Sequence, residues 1–61
     1  MKYYINSIKT EQDRENGKSY KFGAYSNLDE CMKDAEMMHY SGYLYLEIIN
    51  ENDEIYCEYE N

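Results

Sequence analysis

The chain has 61 residues, a mass of 7.4 kDa and a formal net charge of -7, from thirteen Asp and Glu against six Lys and Arg. That length fits one small domain, and the acidity excludes direct binding of nucleic acid through phosphate contacts, which need a basic surface. No stretch approaches the roughly 18 apolar residues of a membrane span, and no basic segment followed by an apolar one marks a secretory leader, so the expected location is the cytoplasm.

A mean hydropathy of -1.00 is offset by nine Tyr, four Met and the absence of Pro, enough for a folded core. A domain this short buries only about 60% of the surface its unfolded chain exposes, so a partner or a second copy adds stability. Cys31 and Cys57 read as small buried hydrophobes, not as a disulfide framework.

The first predicted strand runs from Lys2 to about Thr10, with Tyr3 and Ile5 on one face and Tyr4 and Ile8 on the other. Both faces carry large residues, which implies a bulge or contact on both sides. Glu11 to Lys18 is polar and contains Asn16-Gly17, the strongest short signal for a hairpin turn. Lys18 to Tyr25 is then the return strand, with Tyr20, Phe22 and Ala24 expected in the core.

A helix is predicted next. Ser26 or Asn27 caps it, Asp29 and Glu30 suit its positive end, and Leu28, Cys31, Met32, Ala35 and Met38 form an apolar stripe. Gly42, just after Ser41, is the expected left-handed stop. Tyr43 to Asn50 alternates Leu44, Leu46 and Ile48 against Tyr43, Tyr45, Glu47 and Ile49, so the Leu/Ile set should face the helix. Asn50 to Asp53 is a turn, and Ile55 to Glu60 a last strand with Ile55, Cys57 and Tyr59 opposed to Tyr56, Glu58 and Glu60. The predicted fold class is α+β: a ββαββ order, antiparallel hairpins forming a twisted sheet with one helix on one face.

Charge is unevenly spread along this layout. Residues 1–33 hold six basic and five acidic groups, whereas residues 34–61 hold eight acidic groups and no Lys or Arg. Those acids alternate with strand-forming Tyr and Ile, unlike a solvated acidic tail. A single helix covers one side of a four-stranded sheet, so the other side is expected to be open, acidic and rich in Tyr. Alternate strand residues lie roughly 6.5–7 Å apart, which spaces carboxylates between flat rings in a pattern like the phosphates and bases of a nucleic acid. Proteins that bind nucleic acid meet such a pattern with Arg and Lys.

Catalytic chemistry finds little support. His39, the single histidine, reads as a solvent-facing or capping residue near the helix end. Glu36-x-x-His39 offers two ligands where a structural zinc site needs four. The acids from Asn50 to Glu54 lack calcium-loop spacing, and Gly17, Gly23 and Gly42 make no phosphate loop. No catalytic residue, metal or cofactor is expected.

The Tyr3-Tyr4-Ile5 opening strand, the polar segment ending at Asn16-Gly17, the helix opening at Ser26-Asn27-Leu28 and the exit from His39 to Gly42 into Tyr43–Ile49 resemble small phage-encoded anti-CRISPR proteins. A small type I inhibitor of that kind shares the layout but is much more basic. The resemblance implies a stoichiometric inhibitor of a host defence complex. From the acidic, Tyr-rich face itself, the expected partner is a basic nucleic-acid-handling protein complex, met through Glu47, Asp53, Glu54, Glu58 and Glu60 as charges and Tyr43, Tyr45 and Tyr56 as aromatic contacts. The alternative is a homodimer that uses the open Tyr/Ile face, Ile49 included, as its interface.

Overall fold

The computed structural model describes residues 1–61. Its elements are β1 (Tyr3–Ile8), α1 (Glu11–Glu15), β2 (Tyr20–Tyr25), α2 (Leu28–Tyr40), β3 (Tyr45–Asn50) and β4 (Ile55–Glu60). The four strands form one antiparallel sheet in the order β2-β1-β3-β4. The α+β class and the sheet with a helix packed on it match expectation, with one addition, the short α1.

Asn27 starts α2: its Oδ1 accepts from the N–H groups of Asp29 (2.8 Å) and Glu30 (3.4 Å), which satisfies donors a helix start leaves free. At the other end Gly42, at φ +106, lets its N–H donate to the His39 carbonyl (3.2 Å) while the Tyr43 N–H reaches Met38 (3.3 Å). That pair of bonds is the Schellman closure. Cys31 and Ala35 of the apolar stripe are buried with Ile5, Leu46 and Ile48, and Leu28, Met32 and Met38 pack around them.

The polar segment after β1 is not a hairpin turn. Thr10 Oγ1 accepts from the Asp13 N–H at 3.1 Å and so caps a one-turn helix. Asn16 stays at φ -86, and only Gly17 goes left-handed, at φ +66. The Gly17 N–H donates to Arg14 O (3.1 Å) and the Lys18 N–H to Asp13 O (2.8 Å). Asn-Gly here closes a helix by the same motif that ends α2.

Two bulges change the predicted faces at one end of each edge strand, beyond Phe22 on β2 and before Cys57 on β4. Ile5 pairs with Phe22 but Tyr3 with Tyr25, so three steps on β2 answer two on β1. Tyr20 and Phe22 do lie on the α2 side, yet they are 47% and 40% exposed, and Ala24 is exposed too. They sit on the outermost strand, at the margin of α2, whose buried residues Cys31 and Ala35 cluster with Ile5, Leu46 and Ile48 of β1 and β3. On β4, Ile48 pairs with Cys57 and Ile49 with Ile55. Tyr56 is the extra residue. Its ring meets Tyr3 edge-on at 5.5 Å and its hydroxyl accepts from Asn50 Nδ2 at 3.2 Å. Ile55 thereby moves to the open face and Tyr56 away from it.

Candidate functional site

The open face follows from the strand register. Glu47 pairs with Asn6 on one side and Glu58 on the other, and Asn6 pairs with Lys21, so one row reads Lys21-Asn6-Glu47-Glu58 across the sheet. The row below reads Ile8-Tyr45-Glu60, and the row above Tyr4-Ile49-Ile55. Because β3 and β4 are neighbours, the acidic strands lie together on one side of the sheet and Lys21 of β2 on the opposite edge.

Like charges directly opposite each other destabilise a sheet, and Glu47 and Glu58 are such a pair. Two side chains hold them. Tyr45 reaches both, its hydroxyl 2.9 Å from Glu47 Oε2 and 2.8 Å from Glu58 Oε1, and its single proton is shared between them. Asn6 Nδ2 donates to the other Glu47 oxygen at 3.0 Å. Burial first, then the bonds to Glu58 and Glu47, raise the Tyr45 pKa above its ordinary value near 10, so the hydroxyl, a donor at neutral pH in any case, stays one into alkaline solution.

Of the residues singled out from sequence, Tyr45, Glu47, Glu58 and Glu60 share this face. Ile49 is on it but only 5% exposed, in register with Tyr4 and Ile55. Glu60 lies 3.7 Å from Arg14 of α1, an exposed pair of small energetic weight. Asp53 and Glu54 occupy the β3–β4 turn, where Glu54 Oε1 accepts from Asn50 Nδ2 at 2.9 Å. Tyr56 is displaced by the bulge. Tyr43 falls outside β3, because the helix closure consumes its N–H; it packs on the core with Lys9 Nζ 5.7 Å from its ring centre. Sequence alternation missed Asn6, a polar residue on a central strand whose role is visible only once β1 is placed beside β3.

His39 is not solvent-facing. It is half-buried between Tyr40 and Tyr59, with ring centres 5.7 and 5.6 Å away, and its buried Nδ1 has no hydrogen-bond partner. Cys31 and Cys57 are both free, and burial pushes the Cys31 thiol up to about 11. No group of three or more His, Cys, Asp or Glu side chains converges to hold a metal ion. No helix is long and apolar enough to cross a membrane.

Tyrosines make the fold alkali-sensitive. Burial, then the Tyr25 bond to Asp34 at 2.7 Å, pushes Tyr25 up to about 12, and burial followed by Cys57 does the same to Tyr59. In the unfolded chain these hydroxyls ionise near 10. Above that pH the unfolded state has lost protons the native state keeps, so stability falls as pH rises. The expected outcome is full stability below about pH 10 and alkaline unfolding between about 10 and 12. Tyrosinate absorbance read together with circular dichroism checks this. Complete tyrosine ionisation near pH 10 with the sheet intact would contradict it.

Comparison with family models, curated proteins and solved structures returned no match.

Proposed function

We propose that the chain is a binding module that occupies the cationic, nucleic-acid-binding surface of a host protein complex, as an anti-CRISPR-like inhibitor does, without turnover. The observation that supports this most is the Glu47–Glu58 pair. Two carboxylates opposite each other cost the fold stability, yet Tyr45 and Asn6 hold both in place. Glu60 extends the array, and neither β3 nor β4 carries a Lys or Arg. Fixed carboxylates lose little conformational freedom when they meet Arg or Lys, and the long-range field of a net charge of -7 speeds encounter.

The test is capture from host lysate on the immobilised protein, with elution by salt and by added DNA or RNA. The expected result is retention of nucleic-acid-binding proteins, released as salt rises and displaced by nucleic acid. The double variant Glu47→Gln/Glu58→Gln should lower affinity for the captured protein by roughly tenfold or more, through lost charge-assisted bonds. Affinity that is unchanged by salt, by nucleic acid and by that variant would overturn the reading.

A further inference from the structure

The two edges of the sheet differ in how they are protected. On β4, Glu58 and Glu60 alternate along the strand, and charge of one sign is a standard guard against edge-to-edge pairing. On β2 the single charge is Lys21, there is no Pro, and α1 makes no contact with the strand. Tyr20 and Phe22 stand half-exposed on its α2 side. Two hollows meet at Phe22: one lined by Tyr25, Asp34, Met37 and Met38, the other by Lys9, Asp13, Tyr20 and Tyr43.

We propose that the free edge of β2 is the interface for a second copy of this chain, joined by antiparallel β2–β2 pairing into a continuous eight-stranded sheet. Charge selects this occupant. Pairing through β2 brings together the halves with six basic and five acidic groups, with Lys18 and Lys21 of each copy at the seam, and leaves both acidic β3–β4 halves at the far ends, whereas pairing through β4 would bring together the two halves that hold eight acidic groups and no Lys or Arg.

Backbone direction fixes the register. The Tyr20 carbonyl points inward, since it accepts from Ser7 Oγ at 3.1 Å. Alternation then turns the N–H and C=O groups of Ser19 and Lys21 outward. β2 starts at Tyr20 and the bulge follows at Gly23 and Ala24, so pairing would extend the strand back over Ser19 and Lys18 to span residues 18–22, and a two-fold axis at Lys21 would set that lysine against itself. The axis therefore lies at Tyr20. Ser19 of each copy exchanges N–H···O=C bonds with Lys21 of the other, the two Tyr20 rings meet, and Phe22 lies on the aliphatic stem of the opposite Lys18. The contact is isologous and closes at two copies.

Sedimentation equilibrium across a range of concentration tests this, with twice the 7.4 kDa chain mass expected at the high end. Tyr20→Glu, which sets two carboxylates across the axis, should weaken association by about tenfold or more. Lys21→Pro removes an outward donor and should do the same, while circular dichroism confirms that each variant is folded. Register is read by oxidative cross-linking. Tyr20→Cys should give a disulfide dimer, because directly opposed residues of this pair type have Cα atoms about 4.5 Å apart, within disulfide reach. Phe22→Cys should not, since those positions are separated along the strands by four residues, about 13 Å. A monomer at every concentration, association undiminished in folded Tyr20→Glu, or equal cross-linking by both cysteine variants would overturn the proposal.

Discussion

Replacing Gly23 with alanine is expected to unfold the domain or to lower its melting temperature by on the order of 10 °C or more. Gly23 sits at φ +149, a conformation that side chains rarely adopt, where the β2 bulge passes closest to β1. A Cβ there would lie 2.8 Å from Tyr4 Cδ1 and 2.9 Å from the Tyr3 carbonyl oxygen. The tyrosine ring has room to shift, but the carbonyl belongs to the backbone of a central strand. Strain and overpacking together amount to about 2–5 kcal/mol. A small domain has a total stability near the low end of about 5–15 kcal/mol, so this one change removes much of it. Gly17→Ala is the control. Gly17 is also left-handed, at φ +66, but nothing lies within 4 Å of its added Cβ. Only the backbone penalty of about 1–2 kcal/mol remains there. Thermal melts of the two variants side by side decide the matter: equal, small losses would mean the bulge relaxes and β1 does not require glycine.

That bulge also explains where sequence reasoning succeeds and where it stops. Helix α2 is legible because several local signals agree: an Asn27 cap, an apolar stripe at helical spacing and a Gly42 stop. Strand β3 is legible because it lies inside the sheet, where strict alternation of Leu46 and Ile48 against Tyr45 and Glu47 reports its two environments. Edge strands carry weaker signals. A single inserted residue exchanges their faces, and nothing in the pattern of Tyr20, Phe22 and Ala24, or of Ile55 and Cys57, marks where the insertion falls. Asn16-Gly17 misleads for a different reason. The same dipeptide suits a hairpin turn and a helix C-terminus, and the cue that separates them is Thr10 three residues before Asp13, a cap for a helix with no apolar face of its own. The acidic face was legible in part. Glu47, Glu58, Glu60 and Tyr45 share it because β3 and β4 are consecutive and paired, whereas Tyr43 and Tyr56 leave it through a helix closure and a bulge.

The acidic edge is held by a turn whose strength rests on one buried amide, and Asn50→Ala is expected to remove about 2–4 kcal/mol of stability. Asn50 is 1% exposed. Its Oδ1 accepts from the N–H groups of Asn52 (2.8 Å) and Glu54 (3.0 Å), while its Nδ2 donates to Glu54 Oε1 (2.9 Å) and to the Tyr56 hydroxyl (3.2 Å). Its main chain closes the same turn: the Asp53 N–H donates to its carbonyl, and its N–H donates to Glu54 O, each at 3.1 Å. An alanine leaves two backbone donors and the Glu54 carboxylate without their partner. Asn50→Asp separates acceptor from donor, since it keeps the Oδ1 contacts but sets a second carboxylate against Glu54. Its loss at neutral pH should therefore equal or exceed that of alanine and should shrink as acid protonates the pair. Denaturant unfolding at neutral and acid pH measures both effects. Hydrogen exchange adds where the damage falls, with β4 amides expected to open well before those of β1. A loss under about 0.5 kcal/mol for Asn50→Ala would refute the account. The location matters because β4 is bound to the sheet on one side only, and the repulsion between Glu47 and Glu58 acts across that seam. The Tyr45 hydroxyl lowers the repulsion, the Asn61 bonds to Leu44, Tyr43 and His39 secure the far end of the strand, and Asn50 secures the near one. Loosening the turn should release the acidic strand before it unfolds the core, so a folded Asn50 variant is expected to lose the partner contact proposed for Glu58 ahead of its helix signal.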